Sequence, residues 1–235
     1  RFFSGFEASS HSCFADEALS KKVIKKELIN LQKLFLKTKY LVTGTIVLSS
    51  PISAETIFFL LEQANKFGVK IIIDLNWREV FWDYSSFSSE ISKTERVNLI
   101  KKFLNHAHVL KLAKEEATLF FDNENPSLIS EQLLKRPDVI ITDGKNPIEW
   151  YVNGLQGMTA IPNSQAIVDT TGAGDAFLAG LISKLISSGY PSNHLEIEYC
   201  VKFASICGLL TCLGEGAIEQ QPSYEKVNKF LGSLI

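Results

Sequence analysis

The chain predicts an α/β fold: a doubly wound, mostly parallel sheet flanked by helices. Two observations carry that reading. From residue 17 onward, segments with apolar residues at helical spacing alternate with short strand-like runs. The clearest of those runs, Val69 to Leu75, is dense in β-branched residues instead of alternating apolar with polar. That is the form of a strand covered on both faces.

The elements follow in order. Residues 17–36 carry Val23, Ile24, Leu28, Leu31, Leu34 and Phe35 at helical spacing and predict one helix. Tyr40 to Gly44 predicts a buried strand, and a helix over 53–67 is opened by Pro51 and Ser53. After Gly68 comes the strand 69–75. A helix is then expected over 98–105, a strand over 108–112, a helix over 114–121 and a strand over 137–142. Residues 148–152 and 158–161, joined across Asn153-Gly154, predict an antiparallel hairpin. Three helices close the chain, over 173–187, 194–213 and 224–234, with 189–193 a loop between two of them. No internal repeat or low-complexity linker appears, so one domain over 1–235 is expected.

Composition narrows the function classes. With 235 residues, 46% of them hydrophobic and 21% charged, the chain can bury a substantial core. A net charge of −2 gives no sign of a polyanionic partner, so no nucleic acid is expected. Lys21, Lys22, Lys25 and Lys26 alternate with Val23 and Ile24 and mark the wet face of a helix. Cys13, Cys200, Cys207 and Cys212 form no CxxC pair, and the last three fall in an apolar helical pattern as buried small hydrophobes. That usage fits a reducing, cytoplasmic setting. No apolar run is long enough for a membrane span, and the chain opens on Arg1 instead of Met. The histidines (His11, His106, His108, His194) are scattered and are expected at surface or supporting positions.

The most informative stretch is Asp169 to Gly180, DTTGAGDAFLAG. Glycines just before a helix allow a tight turn and leave the first backbone N–H groups uncovered. With the positive end of the helix dipole, those donors make a place for a phosphate. Asp175 falls in the first helical turn beside them. Amides that absorb charge, next to a carboxylate that accepts a hydroxyl proton, are what phosphoryl transfer to an alcohol needs. The plainer alternative is a helix cap, with Asp175 serving only the dipole. No Lys-Ser/Thr pair follows the glycines, which excludes a Walker-A loop.

The whole string resembles the C-terminal signature of the ribokinase/fructokinase (PfkB-type) carbohydrate kinases, with Asp169, Thr170, Thr171, Gly172, Ala173, Gly174, Asp175, Phe177 and Gly180 in the signature's positions. The resemblance implies a ribokinase-like fold and an ATP-dependent sugar kinase, most like fructokinase, that uses ATP and Mg2+ and, in many members, K+. By the resemblance, Asp175 is the general base and Gly172, Ala173 and Gly174 form the anion hole. Asn76 and Arg78, in the Asp74–Trp82 stretch DLNWREVFW, look like the fructokinase branch's Asp-x-Asn-x-Arg segment near the acceptor. Capped-turn chemistry with core aromatics accounts for that stretch equally. Glu116 falls where the family's Asn-x-x-Glu glutamate positions magnesium through water, although Ala113 stands in the asparagine's place; a solvated helix start is the alternative. Thr142 and Gly144 match a Thr-x-Gly turn at the nucleotide phosphates. Gly214 and Gly216 lie in a loop resembling the family's adenine-pocket wall, and Asp169 and Thr171 match the groups of its monovalent-cation site. The resemblance covers the C-terminal part of a member. It implies that the first strand, the glycine-rich sugar-binding stretch and most of a small β lid, through which members often dimerise, lie ahead of Arg1. Siblings acting on another sugar, an acid sugar or a nucleoside share the signature, and a catalytically silent kinase-like scaffold is the rival from another class.

Overall fold

A computed structural model describes residues 18–79, 82, 92–162 and 167–233. Most of the N-terminal segment, with His11 and Cys13, lies outside the described residues, as does Phe81. The chain divides into two compact units, 1–124 with 128–137 and 125–127 with 138–235.

In the first unit, strands β1 (Tyr40–Gly44), β2 (Lys70–Asp74) and β3 (Val109–Ala113) pair in parallel, β2 with both of the others. Ile71, Ile72 and Ile73 are all fully buried. Successive residues of a strand face opposite ways, so β2 is covered on both faces, as its unbroken apolar run requires. Each such isoleucine contributes about 1.5–3 kcal/mol of burial. Helix α3 (Pro51–Lys66) supplies buried Ile57, Leu61 and Ala64, and α4 (Lys93–Leu104) supplies Ile100, Phe103 and Leu104.

Two helices occupy the place of the single one expected over 17–36: α1 (Lys21–Lys26) and α2 (Leu28–Phe35). At Glu27 the ladder tightens, its N–H reaching Ile24 O at 3.1 Å, and its carboxylate takes Asn30 Nδ2 at 2.7 Å. No residue of α1 is buried, so packing does not hold the two pieces in one register. Helix α4 begins five residues before the expected start, because Ser92 and Glu95 form a capping box: Glu95 N–H donates to Ser92 Oγ, and Ser92 N–H to Glu95 Oε2. A 3-10 turn, Thr45–Ser49, and a short helix α6 (Pro126–Glu131) were not expected. Helix α5 (Lys114–Phe121) follows β3 directly.

The second unit holds β4 (Asp138–Thr142), β5 (Ile148–Val152) and β6 (Leu155–Thr159), paired antiparallel. The hairpin turns at Asn153 and Gly154, with φ of 50° and 79°, the left-handed pair of a two-residue turn whose twist matches its strands. So tight a turn starts β6 at Leu155, three residues before the expected Met158. Buried Trp150 anchors the hairpin by donating Nε1–H to Thr159 Oγ1 at 3.0 Å.

Helices α7 (Ala173–Ser187), α8 (His194–Thr211) and α9 (Tyr224–Gly232) complete this unit. The first two cross closely: a Cβ on Gly180 would lie 2.7 Å from Cys207 Sγ, and one on Gly208 would lie 2.9 Å from Ala173 O. Cys200, Cys207 and Cys212 are buried and free, the small hydrophobes expected. Lys184 is buried at 3% exposure, its ammonium 4.2 Å from the Phe203 ring centre and bonded to the Tyr199 and Tyr224 hydroxyls. A cation on an aromatic face, with hydroxyls to accept its protons, is here buried without an acid partner among the described residues. Among the described residues no helix is long and apolar enough to cross a membrane.

Candidate active site

In the second unit the signature forms a short loop opening α7. Gly172 is the N-cap at φ 78°, a conformation that strains any residue with a side chain. Space forbids one as well, since a Cβ there would lie 2.7 Å from the Ala217 methyl. Gly172 offers no side-chain cap to α7. The first-turn amides of Gly174 and Asp175 therefore project at the positive end of a 15-residue helix. Gly174 lies inside the helix, so the left-handed glycine of the signature is Gly172. Asp175 follows in the first turn with its side chain exposed.

Asp169 holds the loop in place. Its Oδ1 accepts from both the backbone N–H (2.9 Å) and the hydroxyl (2.7 Å) of Thr171, and its Oδ2 accepts from Gly216 N–H at 3.3 Å. The structure thus brings together Asp169, Thr171, Gly172 and the 214–217 loop, residues that the sequence places more than forty positions apart. Backbone bonds from Val168 and Asp169 to Cys212 O reinforce the junction. Among the described residues no cluster of three or more His, Cys, Asp or Glu side chains is arranged to hold a metal ion. Thr142 ends β4 and Gly144 stands on the turn that follows, where Gly144 takes φ 55° and Asn146 N–H donates to Asp143 O at 2.8 Å.

In the first unit the expected acceptor-side residues follow β2. Asn76 sits at φ 42°, an uncommon conformation for a residue with a side chain. It is held from both sides. Thr45 Oγ1 donates to Leu75 O at 2.6 Å, and Trp77 N–H donates to Glu116 Oε1 at 2.5 Å. Glu116 Oε2 accepts from Ala113 N–H at 2.8 Å. Ala113 has no side-chain oxygen, so only the reverse half of a capping box exists at α5. Burial raises the Glu116 carboxyl above the ordinary carboxylate range, and the two backbone N–H bonds offset this in part. The Trp77 ring rests on Trp82 and Phe120, with centroids 5.3 and 5.4 Å away. Arg78 turns back to Trp77 O at 3.2 Å.

One pair escaped the sequence reading. Lys111 Nζ lies 3.0 Å from Asp74 Oδ2, with both side chains under a tenth exposed. The signal was a single lysine inside the apolar run of β3. A charge there requires a buried partner.

Residues 9–223 match the family described as pfkB family carbohydrate kinase. The chain is 28% identical over 225 residues to "Probable fructokinase-7" of Arabidopsis thaliana, covering 93% of this chain and 61% of that protein. It superposes on a crystal structure of fructokinase with bound ATP from Xylella fastidiosa at a TM-score of 0.74 and 21% identity, over 86% of this chain and 64% of that one. A fructokinase from Vibrio cholerae O395, in a fructose-, ADP- and calcium-bound form, matches at 0.70 and 26% identity, over 83% of this chain and 61% of that one. These likenesses bear out the ribokinase-like α/β fold. The chain spans a little over three fifths of the length of each.

Proposed function

The chain belongs to the pfkB family of carbohydrate kinases, and on that premise we propose that it supplies catalytic groups of an ATP-dependent sugar kinase with fructose as the acceptor. One observation carries the reading: an exposed carboxylate, Asp175, stands in the first turn of a helix whose start is opened by Gly172 and pinned by Asp169. In this reading Asp175 orients the acceptor hydroxyl and takes its proton as the oxygen attacks the γ-phosphorus. The amides at Gly172, Ala173 and Gly174 stabilise the charge on the transferring oxygens. Thr142, Gly144, Gly214 and Gly216 line the nucleotide side, while Asn76 and Arg78 serve the acceptor side.

Glu116 is the residue for Mg2+, acting through water, because each of its oxygens accepts one backbone N–H and keeps a lone pair for a water. Magnesium, when bound, neutralises charge between the β- and γ-phosphates. A monovalent cation such as K+ is assigned to Asp169 and Thr171 with the 214–217 loop, since carboxylate and carbonyl oxygens suit a hard cation. A reducing, cytoplasmic compartment suits the three buried free thiols.

The test is ATP-dependent phosphorylation across a panel of hexoses, acid sugars and nucleosides, with Asp175→Asn in parallel. Turnover should fall by about two to four orders of magnitude while folding and ATP affinity persist. Turnover within a few-fold of the parent removes Asp175 from the role of base. A variant that unfolds instead supports the cap reading.

A further inference from the structure

At the start of β3 in the first unit, the end remote from Asn76 and Glu116, four polar side chains meet. His106 and His108 flank Ala107, Asn65 comes from the last turn of α3, and Lys135 from the segment after α6. Ile71 N–H donates to His108 Nδ1 at 3.0 Å. A backbone N–H can only donate, so Nδ1 bears no hydrogen, and the neutral ring carries its proton on Nε2. That Nε2 lies 3.3 Å from Lys135 Nζ, and Lys135 Nζ lies 2.5 Å from Asn65 Oδ1.

An ammonium and an Nε2–H are both donors and cannot satisfy each other. The contact is satisfied only when Lys135 is a free amine, donating one N–H to Asn65 and accepting from His108 with its lone pair. Burial acts in the same direction, holding the Lys135 amine below the ordinary lysine range. Lys70 and Lys102 add positive charge around the histidines, opposed by Glu62. The residue is nonetheless solvent-exposed, so a reagent can reach it.

We propose that Lys135 is a preferred acylation site: Asn65 and His108 hold it as the free amine, and once its single lone pair swings out of the His108 Nε2–H bond the amine attacks an activated acyl carbonyl, as in a thioester or acyl phosphate. The nitrogen lone pair forms the C–N bond. The carbonyl–sulfur or carbonyl–oxygen bond breaks, the thiolate or phosphate departs with its electron pair, and the amine's surplus proton passes to solvent. The product amide keeps one N–H for Asn65 Oδ1 and carries no charge beside the two histidines.

The experiment incubates the folded protein with acetyl-CoA in one arm and acetyl phosphate in the other, and maps occupancy by peptide mass spectrometry. Lys135 should reach at least three times the mean occupancy of exposed Lys66, Lys145 and Lys226 in one arm or both, which also identifies the donor class. His108→Asn keeps an acceptor for Ile71 N–H but removes the Nε2–H, and should bring Lys135 down to that mean. Asn65→Ala should lower it as well. The acylation rate of Lys135 should also rise at lower pH than that of the reference lysines. Wild-type occupancy at or below the mean in both arms, or an excess that survives both substitutions, overturns the proposal.

Discussion

Gly208 of α8 lies directly against the carbonyl of Ala173, so that a methyl there would sit 2.9 Å from that oxygen. The N-terminal end of α7 thus rests on a helix whose own sequence carries no recognisable motif at that point. Gly208→Ala must push Ala173 outward or separate the two helices. Overpacking of this kind costs about 1–3 kcal/mol. We expect a lower melting temperature together with about tenfold lower turnover, because in the proposed function the moved peptide belongs to the phosphate cradle. Unchanged turnover with only a lower melting temperature would show that the cradle tolerates the shift.

Breaking the Lys111–Asp74 pair should be costly. Lys111→Met leaves a carboxylate buried without its cation, and losses of this type run to about 3–5 kcal/mol. Adding Asp74→Asn should recover a substantial part of that loss. Urea denaturation of the two single variants and the double variant measures the coupling, and additive losses would show that the pair is not coupled.

Glu116→Gln tests the two-sided clamp on the Asn76 turn. A glutamine oxygen can accept from Trp77 or Ala113, but its amide nitrogen cannot accept from the other. One buried donor loses its partner, for about 1–3 kcal/mol. The pH dependence should change too. The Glu116 carboxyl is raised by burial, so its contribution to stability is full below pH 4.5 and is lost as pH rises through the folded-state value. Glutamine removes this slope, and Trp77 fluorescence reports whether the turn has loosened.

His108 gives the opposite sign. Burial, with the charge of Lys70 acting the same way, pushes its imidazole down to about 4 from an ordinary 6.5. The contribution is present above pH 6.5 and is lost as pH falls toward 4. For a half-exposed ring this amounts to about 1–2 kcal/mol once solvent screening is allowed for. His108→Asn should flatten the acid limb of the stability curve, measured by chemical denaturation between pH 7 and 4.

Local pattern was enough for β1, α5 and α7, whose residues Tyr40–Gly44, Lys114–Phe121 and Ala173–Ser187 carry their own boundaries as apolar runs, turns and caps. The start of α4 was equally legible in Ser92 and Glu95, whose three-residue spacing was overlooked. What could not be read were relations between distant residues. Nothing near Asp169 says that its carboxylate will meet Gly216, and nothing near Glu116 says that it will hold Trp77. Hydrogen bonds of that kind arise from the tertiary path of the chain. Lys111 lies between the two cases: its position in an apolar strand announced a partner without saying which.

The interlock of Gly172 with Ala217 bears on how this protein can diversify. Position 172 excludes a side chain, and the Ala217 methyl fills the space beside it. A larger residue at 217 would have to displace the loop, and with it the Asp169 tether at Gly216. Neighbouring Glu215 and Ile218 are exposed and under no such restraint. Along residues 215–218, natural variation is therefore expected to be uneven: free drift at 215 and 218, near-fixation at 217, and glycine kept at 216, whose φ of 84° strains any side chain.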